Sequence, residues 1–272
     1  MCLDEFCSPV LLYLMEFCID RDVIQLLKSS KIFYRLKSNY KLKRFVKCTD
    51  TNRGFKADRV IVTSMKKLHS NPLTDAITRV HFLDDGYAPI YFNDEVMGQL
   101  LPNSVTHFTF STSPNENLLI HRFPQSLTDL TLTAWFNHTI EPNVLPQSLK
   151  FLRFGQRFNQ LLGVNVLPAS LKYLSFGRPY RTEYIDCDMY QGEFNSQIAE
   201  NTLPDSLEQL HFGWVFNQRL HASVIAKSLT RLTVGYCFQQ NLDETVIPVA
   251  RIVKVTKGTK YGYHMFELRP SV

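Results

Sequence analysis

The side chains best suited to chemistry in this 272-residue chain, eight histidines and six cysteines, are spaced in ways that suit none of the common reactions. The cysteines (Cys2, Cys7, Cys18, Cys48, Cys187 and Cys237) include no C-x-x-C pair, so no structural zinc site is indicated, and scattered thiols fit a reducing cytoplasm. Phosphate cradles, zincin helices and nucleophile elbows are equally missing: there is no G-x-G-x-x-G, G-x-x-x-x-G-K-[ST], H-E-x-x-H or G-x-S-x-G. No catalytic residue, metal or cofactor is expected, and the chain reads as a protein that is not an enzyme. What does stand out is the chemistry of recognition. Phe151, Arg153 and Tyr173, then His211 and Arg231, and finally Tyr180 and Tyr184 combine aromatic rings with cations or hydrogen-bonding tips, the usual anchors of protein interfaces. They are the candidates for binding a target protein.

What must position these residues is a repeat. A pattern of the form Leu-Pro-x-Ser-Leu begins at Leu101, Phe123, Leu145, Leu167, Leu203, Ile225 and Ile247; five of the six intervals are 22 residues and the other, 36, is 22 plus an insertion of 14. A fixed period of this length is the mark of stacked coils, each a supersecondary unit that buries its apolar face only against its neighbours. Aligned on the proline, the columns are clean. Six residues on stand Phe108, Leu130, Leu152, Leu174, Leu210 and Leu232, and eight on stand Phe110, Leu132, Phe154, Phe176, Phe212 and Val234. A spacing of two places both on one face of a short strand. Positions five and seven then face outward and form a continuous surface: His107 and Thr109, Asp129 and Thr131, Phe151 and Arg153, Tyr173 and Ser175, Gln209 and His211, Arg231 and Thr233.

Beyond the strand comes a glycine (Gly155, Gly177, Gly213, Gly235), then a phenylalanine (Phe136, Phe158, Phe194, Phe216, Phe238) followed by Asn137, Asn159, Asn195, Asn217 or Gln239. The glycine suits the turn out of the strand, and the asparagine suits hydrogen bonds to turn backbone of its own or the adjacent coil. Proline and serine are expected to set the turn into the strand. Ala226 in place of proline and Gln239 in place of asparagine predict a looser sixth coil. The insertion carries Tyr180, Tyr184 and Tyr190, and insertions in such arrays map to loops, often on the binding side.

The run from Leu145 to Leu162, Leu-Pro-Gln-Ser-Leu-Lys-Phe-Leu-Arg-Phe-Gly-Gln-Arg-Phe-Asn-Gln-Leu-Leu, resembles the FNIP repeat, a relative of the leucine-rich repeat known in social amoebae and in giant viruses that infect them. The resemblance covers residues 101 to about 247. It implies a leucine-rich-repeat-like solenoid of 22-residue coils with a parallel sheet. Ile77 to Phe82 reads as a strand of an N-terminal capping coil, and Val249 to Phe266 as a C-terminal cap.

Before residue 50 the texture changes to helix. Ser8-Pro9 is a helix start, followed at helical spacing by Val10, Leu11, Leu14, Met15 and Phe17; Asp20 or Asp22 can cap a second helix carrying Val23, Leu26 and Leu27. A third segment holds Ile32, Phe33 and Leu36. The order Pro9-Val-Leu-Leu-Tyr-Leu, Asp22-Val-Ile-Gln-Leu-Leu and Ser30-Lys-Ile-Phe-Tyr34 resembles an F-box. That resemblance implies docking on the Skp-type adaptor of a cullin-RING ubiquitin ligase, through Pro9, Leu11, Leu12, Leu14, Leu26 and Leu27. Ser8 stands where the family has leucine, and no tryptophan follows the third helix.

The expected fold class is therefore α+β: an F-box-like helical segment over 1–48, a linker and capping coil over 49–100, repeats over 101–248 with an insertion at about 178–192, and a C-terminal cap over 249–272. The expected function is substrate recognition for a Skp-cullin-F-box ligase, in the cytoplasm of the cell or of an infected host. The alternative is a repeat scaffold with no ubiquitin link, residues 1–48 serving as a cap. No apolar run of membrane-spanning length exists, so no membrane partner is expected. The net charge of +5 owes much to the basic residues from Lys28 to Lys47, a pattern more typical of a solvated helix face than of a nucleic-acid footprint.

Overall fold

In the first five repeats the proline opens a tight turn that hands the chain to a strand. The N–H three residues after the proline donates to the proline carbonyl, Val105 to Pro102 at 3.0 Å, Leu149 to Pro146 at 3.1 Å and Leu207 to Pro204 at 3.0 Å. The fixed φ of proline suits this position. The structure, a computed structural model, describes residues 41–42, 46–47, 56–62, 72–82, 101–110, 123–132, 134–177, 192–242, 253–259 and 262–268. Its strands are β1 (Lys41–Leu42), β2 (Val46–Lys47), β3 (Lys56–Ala57), β4 (Arg59–Val62), β5 (Arg79–Phe82), β6 (His107–Phe110), β7 (Asp129–Thr131), β8 (Phe151–Phe154), β9 (Tyr173–Phe176), β10 (Gln209–His211), β11 (Arg231–Val234), β12 (Val253–Thr259) and β13 (Gly262–Leu268).

Among the described residues, one sheet of 11 strands runs in the order β2, β4 and then each strand in turn to β13, while β1 and β3 pair separately. Pairing is parallel from β2 to β12 and antiparallel only between β12 and β13. Equivalent repeat positions are directly opposed: Phe108, Leu130, Leu152, Leu174, Leu210 and Leu232 form one continuous row. All six are buried. The alternation read from the sequence is thus the pleat of a parallel-sheet solenoid.

Four features differ from the sequence reading. The array begins two strands before Arg79–Phe82: Arg59-Val-Ile-Val62 pairs in register with Arg79-Val-His-Phe82, Val46–Lys47 pairs in turn with Val60–Ile61, and Val60 and Val62 are fully buried. Lys41–Leu42 and Val46–Lys47, inside the stretch expected to be helical, are strands; residues 1–40, with Pro9, Leu11, Leu12, Leu14, Leu26 and Leu27, lie outside the described residues. Serine does not shape its own turn: Ser104, Ser126, Ser148, Ser170 and Ser206 donate to the carbonyls of Ile77, Val105, Leu127, Leu149 and Leu171, each in the preceding coil, at 2.6–2.7 Å. The sixth coil is held like the others, with Leu229 N–H on the Ala226 carbonyl at 3.0 Å and Gln239 N–H on Asn217 Oδ1 at 2.8 Å.

That last bond belongs to an asparagine ladder that ties coil to coil. Asn137 Oδ1 accepts from Asn159 N–H at 2.9 Å, Asn159 Oδ1 from Asn195 N–H at 2.8 Å, and Asn195 Oδ1 from Asn217 N–H at 2.8 Å. It crosses the insertion without a break. The inserted segment leaves at Gly177 (φ 92°) and re-enters at Gly192 (φ 74°), both left-handed. A Cβ on Gly192 would stand 2.8 Å from the Phe176 carbonyl oxygen, so both backbone sign and space require glycine there.

Inside the coils the phenylalanines form two rails. Phe136, Phe158, Phe194, Phe216 and Phe238 stack face to face at 5.9–6.0 Å with ring planes within 10°. Phe154, Phe176 and Phe212 stack at 5.4 and 5.6 Å. Rungs at 3.7–3.9 Å join them: Phe154 to Phe158, Phe176 to Phe194 and Phe212 to Phe216. Offset stacks of this kind add attraction beyond the burial of their area. Equivalent rings in nearly parallel planes also make each coil a template for the next.

Candidate functional site

The outward strand positions fall in two rows across the sheet. Around β8 to β11 one row reads Phe151, Tyr173, Gln209, Arg231 and the other Arg153, Ser175, His211, Thr233. Four of the sequence candidates converge here. The Phe151 and Tyr173 rings are 6.1 Å apart and tilted by 37°, the Arg153 guanidinium lies 4.8 Å from the Tyr173 centroid, and the His211 ring sits 5.0 Å from Tyr173 on its other side. Ser175, between Arg153 and His211, is small and buried, its hydroxyl donating to the Gly177 carbonyl at 2.8 Å. Tyr173 is therefore the hub, and Phe151, 36% exposed, is its open flank. Arg231 is exposed on the strand next to His211. Tyr180 and Tyr184 lie outside the described residues.

His211 departs from the surface histidine expected of an outward position. It is half-buried, and its Nε2 is buried without a hydrogen-bond partner among the described residues. Burial, reinforced by the nearby charges of Arg153 and Arg231, pushes its pKa down to about 4. The ring is neutral at physiological pH. Against an unfolded value near 6.5, the unfolded chain takes up this proton first as pH falls. The stability His211 contributes is complete above pH 6.5, declines toward pH 4 and changes no further below that, by order of 2–3 kcal/mol in all. Urea unfolding at stepped pH should show that decline, and His211→Gln should flatten it between pH 6.5 and 5; an unchanged slope would mean that the imidazole titrates alike in both states.

The pKa values of the neighbouring histidines shift in the same direction. Burial lowers the pKa of His81. His107 is lowered chiefly by burial; Asp129 opposes this, and Arg79, Arg59 and Arg153 add to it. Its Nε2 stands 3.5 Å from Asp129 Oδ2, which also accepts from Thr128 Oγ1 at 3.0 Å. Asp129 is thus engaged within the face.

Two ring contacts on the turn beyond the strands, one with a guanidinium and one between aromatic rings, escaped the sequence reading. Arg157 lies 4.2 Å over the half-exposed Trp135 ring, and Trp214 stacks on Tyr236 at 4.9 Å. The signal was present in the two columns between glycine and phenylalanine, which vary too much to look periodic. Asn143, Asn165 and Asn201, all with φ of 60–65°, were also missed. They precede the Leu-Pro step by two residues and take the left-handed conformation that asparagine tolerates best after glycine. They line an open groove with Pro142, Ser223 and Lys227, whose charged neighbours Lys227 and Asp205 pair with each other at 2.8 Å. Among the described residues no group of three or more metal-ligating side chains comes together, and no helix is long and apolar enough to cross a membrane.

Residues 136–178 and 194–237 match the family model of the FNIP Repeat. The two matched blocks adjoin the insertion on either side, and they contain Phe151, Arg153, Tyr173, His211 and Arg231. No curated protein matches the chain. Among solved structures the chain is similar to one described as "The crystal structure of CroV588 a novel circular LRR protein structure", with 29% identity and a TM-score of 0.44. The alignment covers 80% of this chain and 36% of that one, so the chain spans about a third of the length of the structure it matches.

Proposed function

We propose that this FNIP-repeat solenoid is a protein-binding scaffold that holds a target on the exposed face of its sheet, and that it serves as the recognition arm of a Skp-cullin-F-box type ubiquitin ligase. The observation that carries the binding role is the cluster of Phe151, Arg153, Tyr173 and His211, aromatic and cationic side chains brought together by stacking three consecutive strands. The solenoid supplies what such a site needs, because the asparagine, serine and phenylalanine ladders fix each coil against the next. A pre-ordered face loses less freedom on binding than a loop does.

The ligase half rests on the F-box-like order of Pro9, Leu11, Leu12, Leu14, Leu26 and Leu27. In this reading the first helices dock on a Skp-type adaptor and the chain performs no chemistry. It raises the local concentration of the captured target near the transferring enzyme. One observation favours a second reading, a scaffold with no ubiquitin link: Lys41–Leu42 and Val46–Lys47 pair with Lys56–Ala57 and with β4, tying the end of the segment into the array as a cap would be tied.

Calorimetric titration of the full chain with an amoebal Skp adaptor separates the two. The ligase reading expects binding that Leu14→Asp with Leu26→Asp abolishes while the urea midpoint of the solenoid stays unchanged. A folded full chain that does not bind, or a double variant that binds equally well, would leave only the scaffold.

A further inference from the structure

The sheet face has a charge of mainly one sign. Its outward positions hold Arg59, Arg79, Arg153, Arg231 and Lys254, against Asp129 and, on the last strand, Glu267 opposite Lys254. Asp129 is taken by Thr128 and His107. Among the described residues Arg79, Arg153 and Arg231 have no ion pair, although Arg153 sits in the aromatic cluster.

Their spacing across the strands is regular. Arg153 is on β8 and Arg231 on β11, three strands apart and in different rows, since Arg153 is level with Thr233; at the usual strand spacing and rise that is about 16 Å. An extended peptide advances about 3.3 Å per residue, so positions i and i+4 lie about 13 Å apart, on the same side as i+2. A peptide crossing the strands obliquely, from the row of Arg153 to the row of Arg231, with carboxylates at i and i+4 comes within reach of both long guanidinium side chains, and its middle side chain falls beside Tyr173. Arg79, on β5, is three strands further still.

We infer that the sheet face binds an extended acidic segment of a partner protein, of the form acid-x-aromatic-x-acid, with its carboxylates on Arg153 and Arg231 and its ring on Phe151 and Tyr173. The unpartnered His211 Nε2 lies in the same wall and supplies a hydrogen-bonding atom to the segment once side chains shift to admit it. Charge complementarity selects this occupant: the unpaired cations need anions, and the aromatic hub needs an apolar side chain between them. A nucleic-acid strand fits less well, because Asp129 interrupts the positive row and the cations stand farther apart than successive phosphates. The inference rests on the reading of this face as the binding surface and adds the chemistry of what it holds.

The test uses the full chain and short fluorescein-labelled peptides by fluorescence anisotropy. The probe is Ser-Gly-Glu-Thr-Phe-Thr-Glu-Gly-Ser, with versions carrying lysine for both glutamates or alanine for phenylalanine, and an oligothymidylate as the nucleic-acid arm. The acidic probe should bind at least about tenfold more tightly than the lysine version, weaken with salt, and lose about tenfold in affinity with Arg153→Ala or Arg231→Ala. Arg153→Lys should recover little of that loss, because an ammonium lacks the planar fork. Equal binding of acidic and basic probes, abolished in both by Phe151→Ala, would overturn the charge rule yet leave the face as the scaffold's binding surface. Tighter binding of the oligothymidylate, or no binding of any peptide by the folded chain, would overturn the inference; a target protein that still crosslinks to a photoreactive group at Phe151 would then keep the scaffold reading alive.

Discussion

Phe194→Ala should remove about 3–5 kcal/mol of stability and split the unfolding of the solenoid into two transitions. Phe194 is the ring at which the rails meet across the insertion. It stacks on Phe158 at 6.0 Å and Phe216 at 6.0 Å, forms the 3.9 Å rung with Phe176 and lies 6.3 Å from Phe212. It is 1% exposed. Its loss opens a cavity two residues after the chain re-enters the array at Gly192, among rings that belong to both flanking coils. Stability in a stacked array is close to a sum of coil terms and nearest-neighbour terms. Removing the ring weakens two neighbour terms at once, and the coils before and after it should then unfold at different urea concentrations. Circular dichroism alongside limited proteolysis reads this directly. A single transition shifted by less than about 1 kcal/mol would show that the coils are joined by backbone and asparagine bonds, with the rails as filling.

Gly235→Ala should cost about 3 kcal/mol for one added methyl group. The atoms in its way are backbone: a Cβ at Gly235 would overlap the Gly213 carbonyl oxygen and the Trp214 Cα of the preceding coil. A flexible side chain could swing aside, but a peptide group in the neighbouring coil cannot without breaking its own ladder. The turn would lift, lengthening the bond from Cys237 N–H to the Trp214 carbonyl, now 3.1 Å, and parting Trp214 from Tyr236. The partly buried Cys237 thiol offers a local reporter. Its labelling, mapped by mass spectrometry, should quicken in Gly235→Ala while the urea midpoint falls. Unchanged labelling with an unchanged midpoint would mean that the turn has slack the close approach does not suggest.

The coils were legible in the sequence because every position in them is repeated. A leucine column at fixed offset from proline leaves no choice of face, and the strand register follows from the period. The asparagines were readable as turn residues, but their reach into the next coil became definite only with the fold. The serines were misread for the same reason: hydroxyls one residue before the turn's last apolar position are as close to the previous coil as to their own. Val60 and Val62 were missed because Arg59-Val-Ile-Val62 lacks the Leu-Pro step, and the strand alone is too short to stand out. Of the recognition face, Phe151, Arg153 and Tyr173 could be placed together from row and column. The neutrality of His211 could not, since it depends on how much of the ring the surrounding side chains cover and on Arg231 in the next coil.

The stacked phenylalanines also determine a shape. Equivalent rings in successive coils are about 6.0 Å apart along the outer rail and 5.4–5.6 Å along the inner one, while paired strands lie about 4.8 Å apart. Each coil is thus a wedge, thicker by about a quarter at its phenylalanine side than at its sheet. Wedges laid side by side make an arch, and this one bends toward its strands. Phe151, Tyr173, Arg153 and His211, on the face of the sheet opposite the phenylalanines, belong to the inside of that bend. The radius of the arch is written in the thickness of buried rings, so leucine in the outer rail would flatten the cradle from a distance, with no change to any residue that lines it.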